Sequence, residues 1–316
     1  MTPHVVVIGS LNIDLVTRTD RIPAPGETVS GSDLVMLPGG KGANQAVAAA
    51  RLSTSRGPRV HMVGRVGDDA AGRRLVAGLR ADGVDTGHVR VTRGVATGCA
   101  LILVDGRGEN SIVVSPGANA RVKPADVDAA MPLLRGAAVV LLQLEVPLAT
   151  VRHAIGACRK LGVPTMLDPA PVPRGGLPRA LYKSVFLTPN QVESLYLAKM
   201  IPAPGAKVSD VSGIATKLLA RGAATVVLKL GARGAAVATR GGDLTVVRPY
   251  RVRVVDSTAA GDAFNGALAV ALAEGKSMPE AVRFANAAGA LCCTRRGAQP
   301  ALPTRAEVER LMRRRR

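Results

Sequence analysis

Short apolar runs alternate with amphipathic stretches along most of the chain. Residues 5–8 form a continuous apolar run that Gly9 closes, which is the pattern of a strand buried on both faces. Further strands are predicted at residues 60–66, 137–144, 163–167, 185–187 and 225–230, and helices at residues 45–52, 71–79, 148–161, 190 onward and 214–220. Strands that alternate with helices indicate an α/β fold with a mostly parallel sheet and right-handed crossovers.

Two stretches interrupt this alternation. Residues 12–37 contain Pro23, Pro25 and Gly26 among short β-prone pieces. Residues 95–116 contain two apolar runs joined by the turn signal Asp-Gly-Arg-Gly-Glu, which predicts a hairpin. We interpret the two stretches as one small β lid on a single domain of residues 1–316. A variable surface loop is predicted at residues 197–210.

Polar side chains stand where the predicted strands end. Asn12 and Asp14 follow the first strand two residues apart, so in extended backbone they project to the same face. Glu145, Asp168 and Asn190 each follow a later strand. Ligands of parallel sheets bind at the edge formed by the carboxyl ends of the strands, so these residues are candidates for a ligand-binding site. A solvated strand end remains an alternative for Asn12 and Asp14, and helix capping for Glu145 and Asp168.

A glycine-rich segment, Pro-Gly-Gly-Lys-Gly-Ala-Asn, precedes the helix predicted at residues 45–52. Gly40 and Gly42 let the backbone approach a ligand, while Lys41 and Asn44 supply polar groups. The order of residues matches neither a P-loop nor the G-x-G-x-x-G fingerprint. Taken alone, the segment is a weak indication of a ligand site at a helix start.

The stretch Asp-Ser-Thr-Ala-Ala-Gly-Asp-Ala-Phe-Asn-Gly, residues 256–266, is the strongest candidate for chemistry. An apolar run that ends at Val255 precedes it and a helical pattern begins at Asp262, so strand, tight turn and helix are predicted. The turn residues are Ala259, Ala260 and Gly261. Their small side chains let backbone N–H groups at a helix start approach an anion such as phosphate. Asp262 would lie beside that anion, suited to take a proton from an attacking hydroxyl, or it caps its own helix.

Composition and charge exclude some functions. Lys and Arg number 42 against 23 Asp and Glu, which gives a net charge of +19. Aromatic residues make up only 2% and Trp is absent, which argues against base stacking on single-stranded nucleic acid. Apart from the basic tail at residues 313–316, the positive residues are scattered. We interpret the excess charge as a general surface property that attracts anionic substrates, the alternative being a tail that contacts nucleic acid or an acidic partner.

Cysteine spacing and the apolar runs bear on location. The four cysteines, Cys99, Cys158, Cys292 and Cys293, show no CxxC or metal-binding spacing, which favours a reduced, cytoplasmic environment. Met1 leads into the first strand without a signal-peptide pattern. No apolar stretch approaches the roughly 20 residues of a membrane span, so no membrane association is expected.

Seven motifs, in this order, resemble the PfkB-type carbohydrate kinases over essentially the whole chain. They lie at residues 12–14, 38–46, 143–145, 188–193, 231–234, 256–266 and 294–300. The first two and the Gly-Ala-Gln-Pro ending are most similar to members that act on D-ribose. The resemblance implies a Rossmann-like three-layer α/β/α domain with a small β lid, and ATP-dependent phosphorylation of the 5-hydroxyl of D-ribose. Alternatives are a kinase of the same family for deoxyribose, a ketohexose or a nucleoside, and a non-catalytic sugar-binding regulatory protein.

The resemblance also implies roles for individual positions. Asp262 matches the catalytic base, and Ala259, Ala260 and Gly261 match the anion hole for the transferring phosphoryl group. The positions that match the sugar site are Asn12, Asp14, Gly40, Lys41, Gly42, Asn44, Glu145 and Asp262 itself. The positions that match the ATP site are Asn190, Lys229, Leu230, Gly231, Ala232, Arg233, Gly234, Gly261 and Asn286. Glu193 matches the residue that organises Mg²⁺ through water.

A monovalent cation, usually K⁺, and a homodimer formed through the β lid are further implications of the resemblance. The positions that match the cation site are Asp256, Thr258, Cys292, Arg295, Gly297 and Ala301. Three positions depart from the pattern of relatives. Lys229 stands where relatives often carry Thr, Gln191 replaces an acid, and Ala301 replaces a side-chain oxygen.

Overall fold

A computed structural model describes residues 3–200 and 209–314, and within these ranges the chain forms two sheets and ten α-helices. The strands are β1 His4–Ile8, β2 Asn12–Arg18, β3 Val35–Gly39, β4 Arg59–Gly67, β5 Val84–Thr92, β6 Gly98–Val104, β7 Asn110–Ser115, β8 Ala137–Leu142, β9 Thr165–Leu167, β10 Phe186–Leu187, β11 Thr225–Lys229, β12 Ala235–Thr239 and β13 Thr245–Val247. The helices are α1 Lys41–Leu52, α2 Ala70–Ala81, α3 Pro124–Ala129, α4 Met131–Arg135, α5 Leu148–Leu161, α6 Gln191–Leu197, α7 Val211–Ala220, α8 Ala260–Ala273, α9 Met278–Cys292 and α10 Arg305–Arg313.

The central sheet has the strand order β13-β12-β11-β10-β9-β8-β1-β4-β5 in the described residues. Its pairings are parallel except for those of β12 and β13 at one edge. Alternate residues of β1 enter two different cores: Val5 and Val7 pack in one, while Val6 and Ile8 pack in the other. A strand whose faces both bury apolar side chains needs a helical layer on each side. The predicted three-layer α/β/α fold is therefore confirmed.

The first strand lies at the point where the strand order reverses. The chain passes from β1 to β4 and β5 on one side, and then to β8, β9, β10 and β11 on the other. The two connections leave in opposite directions, which opens a crevice beyond the carboxyl ends of β1 and β8. This crevice is where the fold favours a ligand.

A second, four-stranded sheet has the order β3-β2-β6-β7 in the described part of the chain. The predicted hairpin is present, because β6 and β7 pair antiparallel from Cys99–Ser115 to Val104–Asn110. Strand β2 begins at Asn12, four residues after β1 ends, so this sheet extends from the carboxyl edge of the central one. The strands come from the two predicted insertions, and their action as a lid stays a prediction.

The prediction of a strand that ends at Val255 is wrong, because the structure has no strand over residues 248–255. Strand β13 ends at Val247, and Val254 and Val255 are 65% and 50% exposed. The N–H groups of Val255 and Asp256 both bond to the carbonyl of Cys293, at 2.8 and 3.2 Å, instead of to a neighbouring strand. The following helix, α8, begins two residues before the predicted start.

Other predicted features lie partly outside the described residues. The loop at residues 197–210 and the tail at residues 313–316 each include undescribed positions, and Arg313 and Arg314 are exposed.

The cysteines are free. Between residues 3 and 200 and between 209 and 314, no helix combines the length and apolar character needed to cross a membrane.

Candidate active site

The glycine-rich segment forms the start of α1 at the crevice. Gly40 has φ +87°, and a Cβ atom there would lie 2.7 Å from the backbone nitrogen of Asn12, so only glycine fits. Glu145, just after β8, accepts hydrogen bonds from the Lys41 N–H at 3.0 Å and from the Ser10 hydroxyl at 2.5 Å. The carboxylate therefore caps α1 from a neighbouring strand, because Gly40 itself has no side chain to do so.

Asn12 and Asp14 begin β2 beside this helix start. Asn12 is buried, and its Oδ1 accepts a hydrogen bond of 2.7 Å from the Asn119 amide. Burial, together with the nearby carboxylates of Glu145 and Asp262, raises the pKa of Asp14 to about 7. Three carboxylates therefore lie close together at this edge of the sheet, which suits a ligand rich in hydroxyl groups.

Asp262 is buried in the first turn of α8, and α1 holds its carboxylate. Asn44 donates to Oδ2 and Gln45 donates to Oδ1, each at 3.0 Å. Burial raises the pKa of Asp262, and the charge of Asp168 adds to the rise, while Lys41 and the two amides oppose it. A carboxylate with a raised pKa at a helix start facing a crevice is suited to accept a proton.

The residues before Asp262 expose backbone N–H groups at the amino end of α8. Ala259 adopts a left-handed conformation with φ +58°, and the Ala260 N–H bonds to the Ser257 carbonyl at 3.2 Å. The N–H groups of Gly261 and Asp262 belong to the first turn, where no helical carbonyl lies four residues earlier. Together with the dipole of the fourteen-residue helix, they favour an anion here.

Lys229 and Asp168 form an ion pair at the same edge, with Lys229 Nζ 2.9 Å from Asp168 Oδ1. A Cβ atom on Gly261 would lie 3.4 Å from this ammonium, so Lys229 lies beside the start of α8. A second ammonium belongs to Lys41. Burial by itself lowers the pKa of Lys41, but nearby carboxylates outweigh burial and raise it: they belong to Asp262, Asp168, Glu145 and Glu193.

Asn190 and Glu193 form a capping box at the start of α6. The Glu193 N–H donates to Asn190 Oδ1 at 2.9 Å, and the Asn190 N–H donates to Glu193 Oε2 at 2.8 Å. Burial and the charge of Asp168 raise the pKa of Glu193, while Lys229 opposes this. The capping box that begins α6 thus also places the Glu193 carboxylate near the ion pair of Lys229 and Asp168.

The turn after β11 is a short 3₁₀ helix. Gly231 and Gly234 have φ +60° and +86°, and the Leu230 N–H closes the turn on the Gly234 carbonyl at 2.8 Å. Gln191 bridges α6 to this turn, since it donates to the Leu230 carbonyl at 3.3 Å and accepts from the Arg233 guanidinium at 2.8 Å. Gln191, where relatives often have an acid, therefore connects two predicted nucleotide segments.

The predicted cation positions surround Asp256. Its Oδ1 accepts from the Thr258 N–H at 2.9 Å and the Thr258 hydroxyl at 2.6 Å, and its Oδ2 accepts from the Gly297 N–H at 2.9 Å. Burial favours a higher pKa for Asp256, but these hydrogen bonds outweigh it and lower the pKa. The Cys292 thiol donates to the Thr258 carbonyl at 3.4 Å. The group joins α8, α9 and the segment after α9.

Three predicted positions direct their side chains elsewhere or have none to offer. The Arg295 guanidinium pairs with Glu307, and Ala301 is buried. Asn286, on α9, donates to the carbonyls of residues 247–248 at 3.2 Å each. At the cation site, Arg295 and Ala301 therefore have only backbone carbonyls to offer.

Several residues of the site were not predicted from the sequence. Gln45 contacts both Asp168 and Asp262, and Gln143 contacts Gln45. Both glutamines lie inside motifs that carried the resemblance, so position in a motif was the available signal. Asn119, in contrast, lies in a 3₁₀ turn and is brought to Asn12 only by the folding of distant segments.

Comparison with known proteins agrees with this fold. Residues 2–305 match the model of the pfkB family carbohydrate kinases. A ribokinase from Bacillus subtilis is 40% identical over 309 residues, which cover 98% of this chain and 99% of the relative. A ribokinase from Schizosaccharomyces pombe is 38% identical and covers 97% of this chain and 96% of the relative. The chain therefore belongs to the pfkB family of carbohydrate kinases.

A solved structure extends the likeness to three dimensions. The Arabidopsis thaliana ribokinase complexed with ribose and ATP superposes with a TM-score of 0.87 at 36% identity, over 99% of both chains. The fold is thus the ribokinase-like arrangement of a central α/β/α domain with a small separate sheet.

Proposed function

We propose that this chain is a kinase that transfers the γ-phosphoryl group of ATP to the 5-hydroxyl of D-ribose, giving D-ribose 5-phosphate and ADP. The observation that carries the proposal is the position of Asp262. Its buried carboxylate lies in the first turn of α8 and accepts a hydrogen bond from Asn44 at the start of α1, which joins the two helix starts. One site therefore combines a base, an anion-binding turn and a sugar pocket.

In the proposed reaction Asp262 accepts the proton of the sugar hydroxyl as that oxygen attacks the γ-phosphorus. The turn of residues 259–261 stabilises the charge on the transferring phosphoryl group, chiefly through the Gly261 N–H, because the Ala260 N–H already bonds to the Ser257 carbonyl. Lys229, beside Gly261, adds a positive charge on the same side. Phosphoryl transfer requires positioning and charge stabilisation more than covalent chemistry, and these residues supply both.

The sugar lies in the pocket formed by the start of β2 and the start of α1. Its hydroxyl groups bond to the side chains of Asn12, Asp14, Asn44 and Glu145, with Gly40, Lys41 and Gly42 providing close backbone approach. Ionised carboxylates accept hydrogen bonds, while amides both donate and accept, which matches neighbouring hydroxyls. The convergence of Asp14, Glu145 and Asp262 supports this placement.

The nucleotide binds along the turn after β11, at Asn190, residues 229–234 and Asn286. Among the residues that the structure describes, no group of three or more His, Cys, Asp or Glu side chains could hold a metal ion. Mg²⁺ usually keeps several waters and binds one or two carboxylates plus substrate phosphates, so Glu193 suits it through water. Held there, Mg²⁺ would neutralise charge on the phosphates.

A monovalent cation, K⁺, binds beside the start of α8. The Asp256 carboxylate, with several backbone carbonyls among Thr258, Cys292, Arg295, Gly297 and Ala301, would provide the hard oxygen ligands that such a cation takes. Replacing K⁺ with Na⁺ at constant ionic strength should lower the ribose-dependent rate. Equal rates in the two salts would remove this cation from the proposal.

Two copies associate through the second sheet. Residues in register across its four strands form one apolar row: Met36, Leu15, Leu101 and Val113. Three of the four are exposed in the single chain, and a second copy would bury them.

The free cysteines support a cytoplasmic location.

A coupled assay of ADP release tests the function over a panel of acceptors. We expect kcat/KM for D-ribose to exceed that for 2-deoxyribose, fructose and adenosine by at least about tenfold, because a site built to bond a hydroxyl discriminates against its absence. If 2-deoxyribose, fructose or adenosine is as good a substrate as D-ribose, the proposed acceptor is wrong.

A further inference from the structure

Gln45 connects the two buried carboxylates of the site through one amide group. The residue is 1% exposed, and its Nε2 lies 3.0 Å from Asp262 Oδ1 and 3.0 Å from Asp168 Oδ2. An amide nitrogen carries two hydrogens, so each carboxylate receives one. Asp168 is itself paired with Lys229, so an unbroken chain of contacts links Lys229 to Asp262.

Gln143 determines which way the Gln45 amide faces. Its Nε2 donates to Gln45 Oε1 at 2.6 Å, and both side chains are buried. A reversed Gln45 amide would direct its oxygen at two carboxylates, which is repulsive, and its nitrogen at another amide nitrogen. Gly9 leaves the space that Gln143 needs, because a Cβ atom there would lie 2.1 Å from Gln143 Oε1.

The hydrogen bond from Gln45 to Asp262 affects the protonation state of a carboxylate that is surrounded by other titratable groups. The charged or titratable side chains that act on it are Lys41, Asp168, Asp14 and Cys292. Burial and Asp168 favour the protonated acid, whereas the hydrogen bonds from Gln45 and Asn44 favour the carboxylate. A base must be ionised to accept a proton, so donors that favour the carboxylate also favour reaction.

We propose that Gln45 is a positioning residue, which holds Asp262 in the orientation and ionised state that proton transfer needs while Gln143 keeps its amide facing the two carboxylates. Gln45 acts on the reaction through the Asp262 carboxylate, to which its amide nitrogen donates. This inference rests on the proposed function, in which Asp262 is the base.

The test is the pH profile of ribose phosphorylation by Gln45→Met, which keeps the length of the side chain and removes its hydrogen bonds. We expect kcat to fall on the order of 10²-fold, because a misplaced reacting group costs about that much. We expect the acid limb of the profile to move about one pH unit higher, because the carboxylate loses a charge-assisted hydrogen bond. The KM values for ribose and ATP should change less than about threefold, since neither ligand loses a contact.

Gln143→Met tests the orientation of the amide separately. It leaves Gln45 in place but removes the hydrogen bond that orients its amide, so the acid limb should move in the same direction by a smaller amount. Ser184→Ala is the control, because it removes another buried polar group, whose hydroxyl has no hydrogen-bond partner among the described residues. Its profile should match that of the unmodified chain.

The outcomes separate this inference from the function on which it rests. If the unmodified chain fails to phosphorylate D-ribose, the proposed function is wrong. If that chain is active and Gln45→Met keeps its rate and acid limb, the positioning role is wrong and the function stands. If Gln45→Met does not fold, the acid limb of Gln143→Met decides, and an unmoved limb overturns the inference.

Discussion

Asp14 lies in the proposed sugar pocket, where burial and the nearby carboxylates of Glu145 and Asp262 raise its pKa to about 7. Its pKa is raised, so the proton stays bound to a higher pH than in a solvated Asp, and the acceptor form disappears as the pH falls through about 7. We expect kcat/KM for ribose to decrease below that pH, because this parameter reports groups of the free enzyme. A profile of kcat/KM from pH 5 to 9 measures it.

Asp14→Asn is the matched variant for that profile. It removes the titrating group, so the limb near pH 7 should vanish while KM for ribose rises, by about tenfold for a lost hydrogen bond to a charged group. A limb that persists unchanged near pH 7 would assign it to another residue.

Lys229 can serve the phosphoryl group, or it can serve only to neutralise Asp168. Lys229→Met should lower kcat/KM for ATP on the order of 10²-fold if its ammonium stabilises phosphoryl charge. The double variant with Asp168→Asn separates the two roles, since it removes the ion pair without leaving an unpaired charge. We expect the double variant to remain impaired in steady-state assays. Recovery of the original rate would limit Lys229 to balancing Asp168.

At the scale of elements, the start of α1 depends on glycine at position 40. Gly40→Ala should lower the free energy of unfolding by about 2–4 kcal/mol, because it combines a positive φ with a contact of 2.7 Å to backbone. Gly26→Ala is the matched control, since Gly26 also has a positive φ but open space around it. We expect it to cost about 1 kcal/mol in urea unfolding. Equal losses would show that the close approach at Gly40 is not what matters.

The inner strands of the central sheet could be predicted because buried parallel strands are continuous apolar runs that alternate with helical periods. The strands β5, β12 and β13, at the two ends of the sheet, were not predicted. The segment before Asp256 shows the limit of that rule. Its sequence, Tyr-Arg-Val-Arg-Val-Val, alternates like a strand, but the backbone turns to Cys293 instead and leaves Val254 and Val255 exposed. Pairing depends on which neighbour is available, and a local pattern does not contain that information.

Some residues of the site could be predicted from local sequence, and others could not. Asn12, Glu145 and Asp262 were candidates because they follow strands or begin a helix, and those positions are readable locally. The contacts of Gln45 with Asp168 and Asp262 join residues more than 120 positions apart, through the packing of α1 against the sheet and α8. Such contacts follow from tertiary packing, so neither period nor spacing could predict them.

At the scale of the whole molecule, the apolar row on the second sheet predicts association. Val113 is 66% exposed in the single chain, and Val113→Glu would bury a charge in the proposed interface. We expect the unmodified chain to be a dimer and this variant a monomer by light scattering. The control is Val246→Glu, on the edge strand β13 of the other sheet, which should leave the mass unchanged. A monomeric unmodified chain would contradict this assembly.

The measurement that tests the account most directly is ribose-dependent ADP release by Asp262→Asn, with ribose binding followed in parallel by calorimetry. The amide keeps the shape of the side chain but cannot accept the proton, so we expect turnover to fall about 10²- to 10⁴-fold while the dissociation constant for ribose changes little. A variant that binds ribose and turns over within about tenfold of the unmodified rate would contradict the assignment of Asp262 as the base.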